Sequence, residues 1–193
     1  LTALVLDRWR AGEPVGPLAS VLAIGLTLPA VLLVGFRTRP FRDQIDFVAS
    51  GAGQWVSMLK ALPGNKRILV LSDGMYPQFP AIVYSSYTMA MPFITLWPIA
   101  GVYQRCGLGE ERYRSPEAQS AEEEFAARSI AEAFLRDKPS VLVVDRYPGI
   151  PSCAGAAFDY LAYFKRNDAF AAAFKTYRPL ITLDGRYDFY LRG

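Results

Sequence analysis

The sequence predicts an α/β domain preceded by a membrane helix. Three observations carry the prediction. Residues 14–36 hold no charged side chain. Two short aliphatic runs, 67–72 and 140–144, alternate with segments of helical periodicity, and an Asp-Gly pair at 184–185 parts two strand-like runs near the C-terminus. Continuous aliphatic runs suit parallel strands buried on both faces, and Asp-Gly between strands is a hairpin signal. The expected architecture is a small α/β sandwich with parallel core strands and a C-terminal antiparallel hairpin.

Residues 14–36 are long enough, at about 1.5 Å per residue, to cross a hydrocarbon core of about 30 Å. Pro17, Gly25, Pro29 and Gly35 lie inside the segment; membrane helices tolerate them, and they equally suit a buried helix of a soluble core. A signal peptide fits less well, because Arg37, Thr38, Arg39 and Pro40 stand where small residues of a cleavage site would be. Residues 1–13 read as the end of an earlier membrane helix and a loop containing Trp9, or as a short extension ahead of a single span. Residues 37–193 form the extramembrane α/β domain. Arg8 and Arg10 before the span and Arg37, Arg39 and Arg42 after it lean, by one charge, towards a cytoplasmic domain.

Within that domain, Ile45, Val48, Ala52, Trp55, Val56, Leu59 and Leu62 recur at helical steps, predicting a helix over 43–62 ended by Pro63-Gly64. Gly51 and Gly53 weaken its middle by about 1 kcal/mol each. Residues 67–72 form a strand with Asp73-Gly74 at its exit. Residues 75–103, punctuated by Pro77, Pro80, Pro92 and Pro98, read as loops and short helices. Ser115-Pro116 offers an N-cap and first position for a helix reaching Asp137, acidic at Glu117 and Glu122–Glu124, with Phe125, Ala126, Ile130, Ala133 and Phe134 as its apolar face. A second strand, 140–144, exits through Asp145, Arg146 and Tyr147. Two helices follow, 158–166 and 169–177, with Asp168 capping the second, and the hairpin closes the chain.

Composition removes several function classes. There is no histidine, so Ser-His-Asp, Cys-His and His-metal chemistry are excluded for this chain by itself. The net charge of +3 is scattered, so no nucleic-acid groove is indicated. Cys106 and Cys153 fit one disulfide in an oxidising compartment or two buried thiols. No phosphate loop, nucleophile elbow or Asp-x-Asp pair occurs, and Gly51-Ala52-Gly53 lacks both the third glycine and the preceding strand of a dinucleotide fingerprint. No cofactor and no metal site are expected.

The candidate ligand-facing residues are Asp73, Tyr76, Asp145, Arg146 and Tyr147. If the two aliphatic strands are parallel neighbours, both aspartates open at the carboxyl edge, where α/β sheets bind ligands; Asp after a strand is also a common loop residue. The aromatic segment Met75, Tyr76, Phe79, Tyr84, Tyr87, Met89, Met91, Phe93, Trp97 and Tyr103 suits either a membrane interface flanking a site for a lipid-linked substrate or a core under a long loop. Phe158, Leu161, Phe164, Phe170 and Phe174 read as packing.

The sequence from the span through 67–73, the aromatic segment ending Trp97-Pro98-Ile99-Ala100-Gly101-Val102-Tyr103, 141–147, Phe158 to Phe164 and Tyr187 to Arg192 resembles the C-terminal end of bacterial polytopic proteins similar to GT-C glycosyltransferases. The resemblance implies a multi-pass protein of the bacterial inner membrane, a periplasmic C-terminal domain and a polyprenyl-phosphate-linked sugar donor with an envelope acceptor. Its catalytic acid would lie in a loop outside this chain, so no catalytic residue is carried over. It implies an accessory domain that holds substrate. Two other classes stay open: a membrane-anchored, non-catalytic binding or assembly module, and an enzyme working in the Asp73/Asp145 crevice.

Overall fold

The computed structural model describes residues 11, 21, 25–33, 46–103, 113–146 and 158–193. The chain divides into two units, 1–50 and 51–193. In the first, residues 25–33 are helical and exposed throughout, Leu26, Leu28 and Val31 among them. Among the described residues no helix is long and apolar enough to cross a membrane. Most of the expected span 14–36, nearly all of 1–13, Tyr147 and both cysteines lie outside the described residues.

The second unit is α/β. Its helices are α1 (Gly51–Ala61), α2 (Gln78–Ser85), α3 (Trp97–Val102), α4 (Ala121–Asp137), α5 (Tyr160–Phe164) and α6 (Asp168–Phe174). Its strands are β1 (Arg67–Leu71), β2 (Thr88–Met89), β3 (Val141–Asp145), β4 (Tyr177–Leu183) and β5 (Tyr187–Arg192). They form one mixed sheet in the order β2-β1-β3-β5-β4, parallel across β2, β1 and β3 and antiparallel from β3 through β5 to β4. The expected parallel pair and closing hairpin are both present.

Strand alternation sorts the core into two layers. Leu69, Leu71, Leu142 and Val144 face a cluster built from α3 to α6, including Leu96, Ile130, Phe134, Tyr160, Phe164 and Phe170. Val143 pairs with Phe189 on the other side, where Trp55 of α1 meets Phe189 and Tyr187 edge-on at 4.7 and 5.0 Å. Asn65 aligns the starts of the parallel strands: its Oδ1 accepts from the Arg67 and Ser140 amides at 3.1 and 3.0 Å, and its Nδ2 donates to Lys138 O at 3.0 Å. Gly64 makes that approach possible, because a Cβ there would lie 2.4 Å from Ser140 Cβ, and its φ of 115° suits glycine alone.

Several element boundaries differ from expectation. Of the predicted helix 43–62, residues 43–45 lie outside the described residues, residues 46–50 form a turn in which Ser50 Oγ donates to Phe47 O at 2.7 Å, and the helix runs from Gly51. The two glycines therefore sit in the first turn rather than the middle. The stretch 75–103 holds short helices as expected, α2 and α3, and adds the two-residue strand β2. Pro116 opens only a 3-10 turn, Pro116–Ala118, and the long helix is capped by Ser120, whose hydroxyl accepts from Glu123 N at 3.3 Å. Phe125, expected on the buried face, is exposed and meets Phe93 edge-on. Asn167 rather than Asp168 caps α6, accepting from Phe170 N at 2.9 Å. In the hairpin, Asp184 and Gly185 both have positive φ, 54° and 63°, as a type I′ turn requires.

Candidate functional site

β1 and β3 run parallel, so the residues that follow or end them meet at one carboxyl edge. Asp145, the last residue of β3, is buried. Arg186, just beyond the hairpin turn, donates to it twice, Nε to Oδ1 at 2.8 Å and Nη2 to Oδ2 at 2.7 Å. Ser72 Oγ donates to Oδ2 at 2.7 Å and itself accepts from Gly74 N at 3.1 Å. Hydrogen bonding to Asp145 raises the Arg186 pKa. The carboxylate is thus held by a bidentate guanidinium and a hydroxyl.

Asp73 stands beside this clamp. Its pKa is raised, first by burial and then by the charge of Asp145. Tyr160 reaches the same place from α5: burial, then the charges of Asp73 and Asp145, push its hydroxyl well above the usual phenol range. That hydroxyl is buried and has no hydrogen-bond partner among the described residues. Gln78 is buried in the first turn of α2, its Nε2 donating to Gly74 O while its Oε1 is likewise unpartnered among the described residues. A buried polar atom without a partner is costly in an apolar setting, so such atoms mark places where a water or ligand hydroxyl fits.

Of the five residues expected here, Asp73 and Asp145 come together. Tyr76 is at the rim, its carbonyl accepting from Tyr187 OH at 3.3 Å. Arg146 turns away: alternation sends it to the opposite face of the sheet, where Nε meets Asp188 Oδ2 at 2.6 Å. It borders a separate cavity of about 320 Å³ with Pro179, Ile181 and Tyr190. Ser72, Gln78, Tyr160 and Arg186 were not anticipated. Arg186 carried one usable signal, its place directly after a hairpin turn beside the end of the central strand.

The aromatic segment is divided. Tyr87 and Tyr103 are buried, whereas Met75, Tyr76, Phe79, Tyr84 and Trp97 are exposed. Phe158, Phe164 and Phe170 are buried, and Leu161 and Phe174 are packed against the same core.

A second polar cluster lies in that core. Ser120 and Glu123 have capping-box spacing, yet the Glu123 side chain turns inward and is fully buried. Its Oε1 accepts from Tyr103 OH at 2.6 Å and Tyr163 OH at 2.8 Å, and Arg114 Nη1 lies 3.5 Å from Oε2. Burial and then the bond to Glu123 push the Tyr103 hydroxyl up to about 12. This cluster joins α3, α4 and α5 and is a packing device. Among the described residues no group of Asp, Glu, Cys or His is arranged to hold a metal ion.

The chain matches no protein-family model, no curated protein and no solved structure. Its function rests on the site itself.

Proposed function

We propose that residues 37–193 are the extramembrane, periplasmic C-terminal domain of a multi-pass bacterial membrane protein similar to GT-C glycosyltransferases, and that this domain holds a polyprenyl-phosphate-linked sugar or its envelope acceptor without performing the transfer. The observation that supports this reading best is the buried Tyr160 hydroxyl, without a hydrogen-bond partner among the described residues and within reach of the charges of Asp73 and Asp145. A hydroxyl-rich ligand has the donors and acceptors that such a site needs.

A holding role is favoured over catalysis by the state of Asp145. Both of its oxygens already accept strong bonds from Arg186 and Ser72, so this carboxylate is taken up by the clamp. Acid-base transfer between two carboxylates needs both to be open to the substrate. A membrane-anchored binding or assembly module of the cell envelope would use the same crevice in the same way, and it differs in that the whole protein would transfer no sugar.

The membrane reading is supported by the uncharged segment 14–36 and by the exposed apolar side chains of residues 25–33. The test is equilibrium binding of a polyprenyl-phosphate-linked hexose to the chain in lipid nanodiscs. Tyr160→Phe and Asp73→Asn are expected to weaken binding at least tenfold while the far-ultraviolet circular dichroism is unchanged. Equal affinity in both variants would remove the crevice as the binding site.

A further inference from the structure

We infer that the rim of the Asp73 crevice is the face on which the domain rests against a lipid bilayer. Two loops form this rim, and both are tied to Ser72: Gly74 N donates to its hydroxyl at 3.1 Å and Leu96 N to its carbonyl at 2.8 Å. The first loop and the start of α2 carry Met75, Tyr76 and Phe79, and the second loop and the start of α3 carry Ile94 and Trp97. Met75 is 56% exposed, Ile94 54% and Trp97 66%. Large apolar and aromatic side chains left exposed on two segments tied to the same residue mark a contact surface, and Tyr and Trp are the residues favoured where one end of a ring is greasy and the other wet.

Three features select a bilayer as the occupant. From Gly74 to Gln104 the chain contains no charged residue, so nothing in either loop opposes entry into the acyl boundary. Arg37, Arg39 and Arg42 lie in sequence between the apolar segment 14–36 and Gly51, ahead of Asp43 and Asp46, and the three arginines nearest the apolar segment suit anionic headgroups. Helix α1 starts beside the first of these segments and the hairpin turn: a Cβ on Gly51 would lie 3.6 Å from Asp184 Oδ2, 3.8 Å from Pro77 Cβ and 3.9 Å from Tyr76 OH. The residues at the strand edge beside these segments, Ser72, Asp73, Asp145 and Arg186, are polar or charged. A headgroup layer keeps them hydrated, whereas a second copy pressed on the same rim would desolvate Asp73 and Arg186 further.

The inference rests on the membrane reading of residues 14–36 proposed above, and its test separates the two. The full chain is reconstituted in phosphatidylcholine/phosphatidylglycerol vesicles whose acyl chains are brominated near the headgroup, and tryptophan quenching is compared with unbrominated vesicles. Trp55 is buried and serves as a constant, and Trp9 is common to every variant. Trp97→Phe is expected to lower the quenched fraction of the emission, and Phe79→Trp on that background to restore it, with the Phe79→Trp probe shielded from acrylamide. If the chain floats with the vesicles but Trp97→Phe leaves the quenched fraction unchanged and Phe79→Trp is open to acrylamide, the rim does not touch lipid and the anchor stands. If the rim is shielded from both quenchers, it is covered by protein and the inference fails. A chain that does not float overturns the rim contact and the anchor together.

Discussion

Arg186 and Asp145 meet fork to fork across the junction of β5 and β3, with contacts of 2.8 and 2.7 Å, and this pair fastens the C-terminal hairpin to the parallel half of the sheet. The Asp145 side chain is fully buried and that of Arg186 is about one third exposed. Removing the arginine strands a buried carboxylate. Arg186→Ala is therefore expected to cost about 2–4 kcal/mol, below the full cost for a deeply buried pair because solvent screens one partner. Arg186→Lys keeps the charge but loses the fork and falls in between. Urea unfolding of the three proteins checks the order.

Asp73 gives a pH-dependent prediction with a definite sign. Its pKa is raised in the folded state by burial and by Asp145, so the fold binds the proton more tightly than the unfolded chain does. Stability from this group is present below the ordinary carboxylate value near 3.8 and is lost as pH rises through the raised value. Asp73→Asn is expected to raise the melting temperature at pH 7 and to show a shrinking gain as pH falls towards 4. Thermal melts at three pH values decide it; a variant no more stable than the parent at pH 7 contradicts the burial of the charge.

The tyrosines predict an alkaline limit. Burial holds the hydroxyls of Tyr103, Tyr177 and Tyr187 up to about 12, and those of Tyr160 and Tyr163 are raised further by burial and neighbouring carboxylates. Their contribution is complete below about pH 10 and is lost above it. Phenolate absorbance should rise for these five only together with loss of ellipticity. Glu123→Ala leaves the hydroxyls of Tyr103 and Tyr163 without their acceptor and is expected to cost about 2–4 kcal/mol, whereas Tyr103→Phe alone should cost about 1.5–3 kcal/mol.

Much of the fold was legible because aliphatic runs and turn chemistry are local signals. Residues 67–72 and 140–144 could only be buried strands, and Asp184-Gly185 could only turn. Gly185→Ala should cost about 1–2 kcal/mol from its backbone alone, since open space surrounds the added methyl group; chemical denaturation measures it. The misplacements have a common origin in tertiary partners that no local pattern contains. Ser115-Pro116 and Ser120 are equivalent as caps until the inward pull on Glu123 selects the second. Phe125 continues the helical stripe, yet the core takes Ala126 and Phe134 beside it. At the strand edge, the two aspartates were readable from their place after strands and Ser72 lies next to one of them, whereas Tyr160 and Arg186 come from distant segments brought there by the strand order. Arg146 was misread because adjacent residues of a strand face opposite ways, so it cannot join Asp145.

The most direct measurement of the central claim is photo-crosslinking of the nanodisc-embedded chain with a polyprenyl-phosphate-linked hexose carrying a diazirine on the sugar, mapped by mass spectrometry. The account predicts adducts within residues 72–79 and at Tyr160 and Arg186, abolished by Tyr160→Phe and competed by the unlabelled lipid-linked sugar. Adducts confined to other parts of the chain, or a pattern unmoved by Tyr160→Phe, would contradict it.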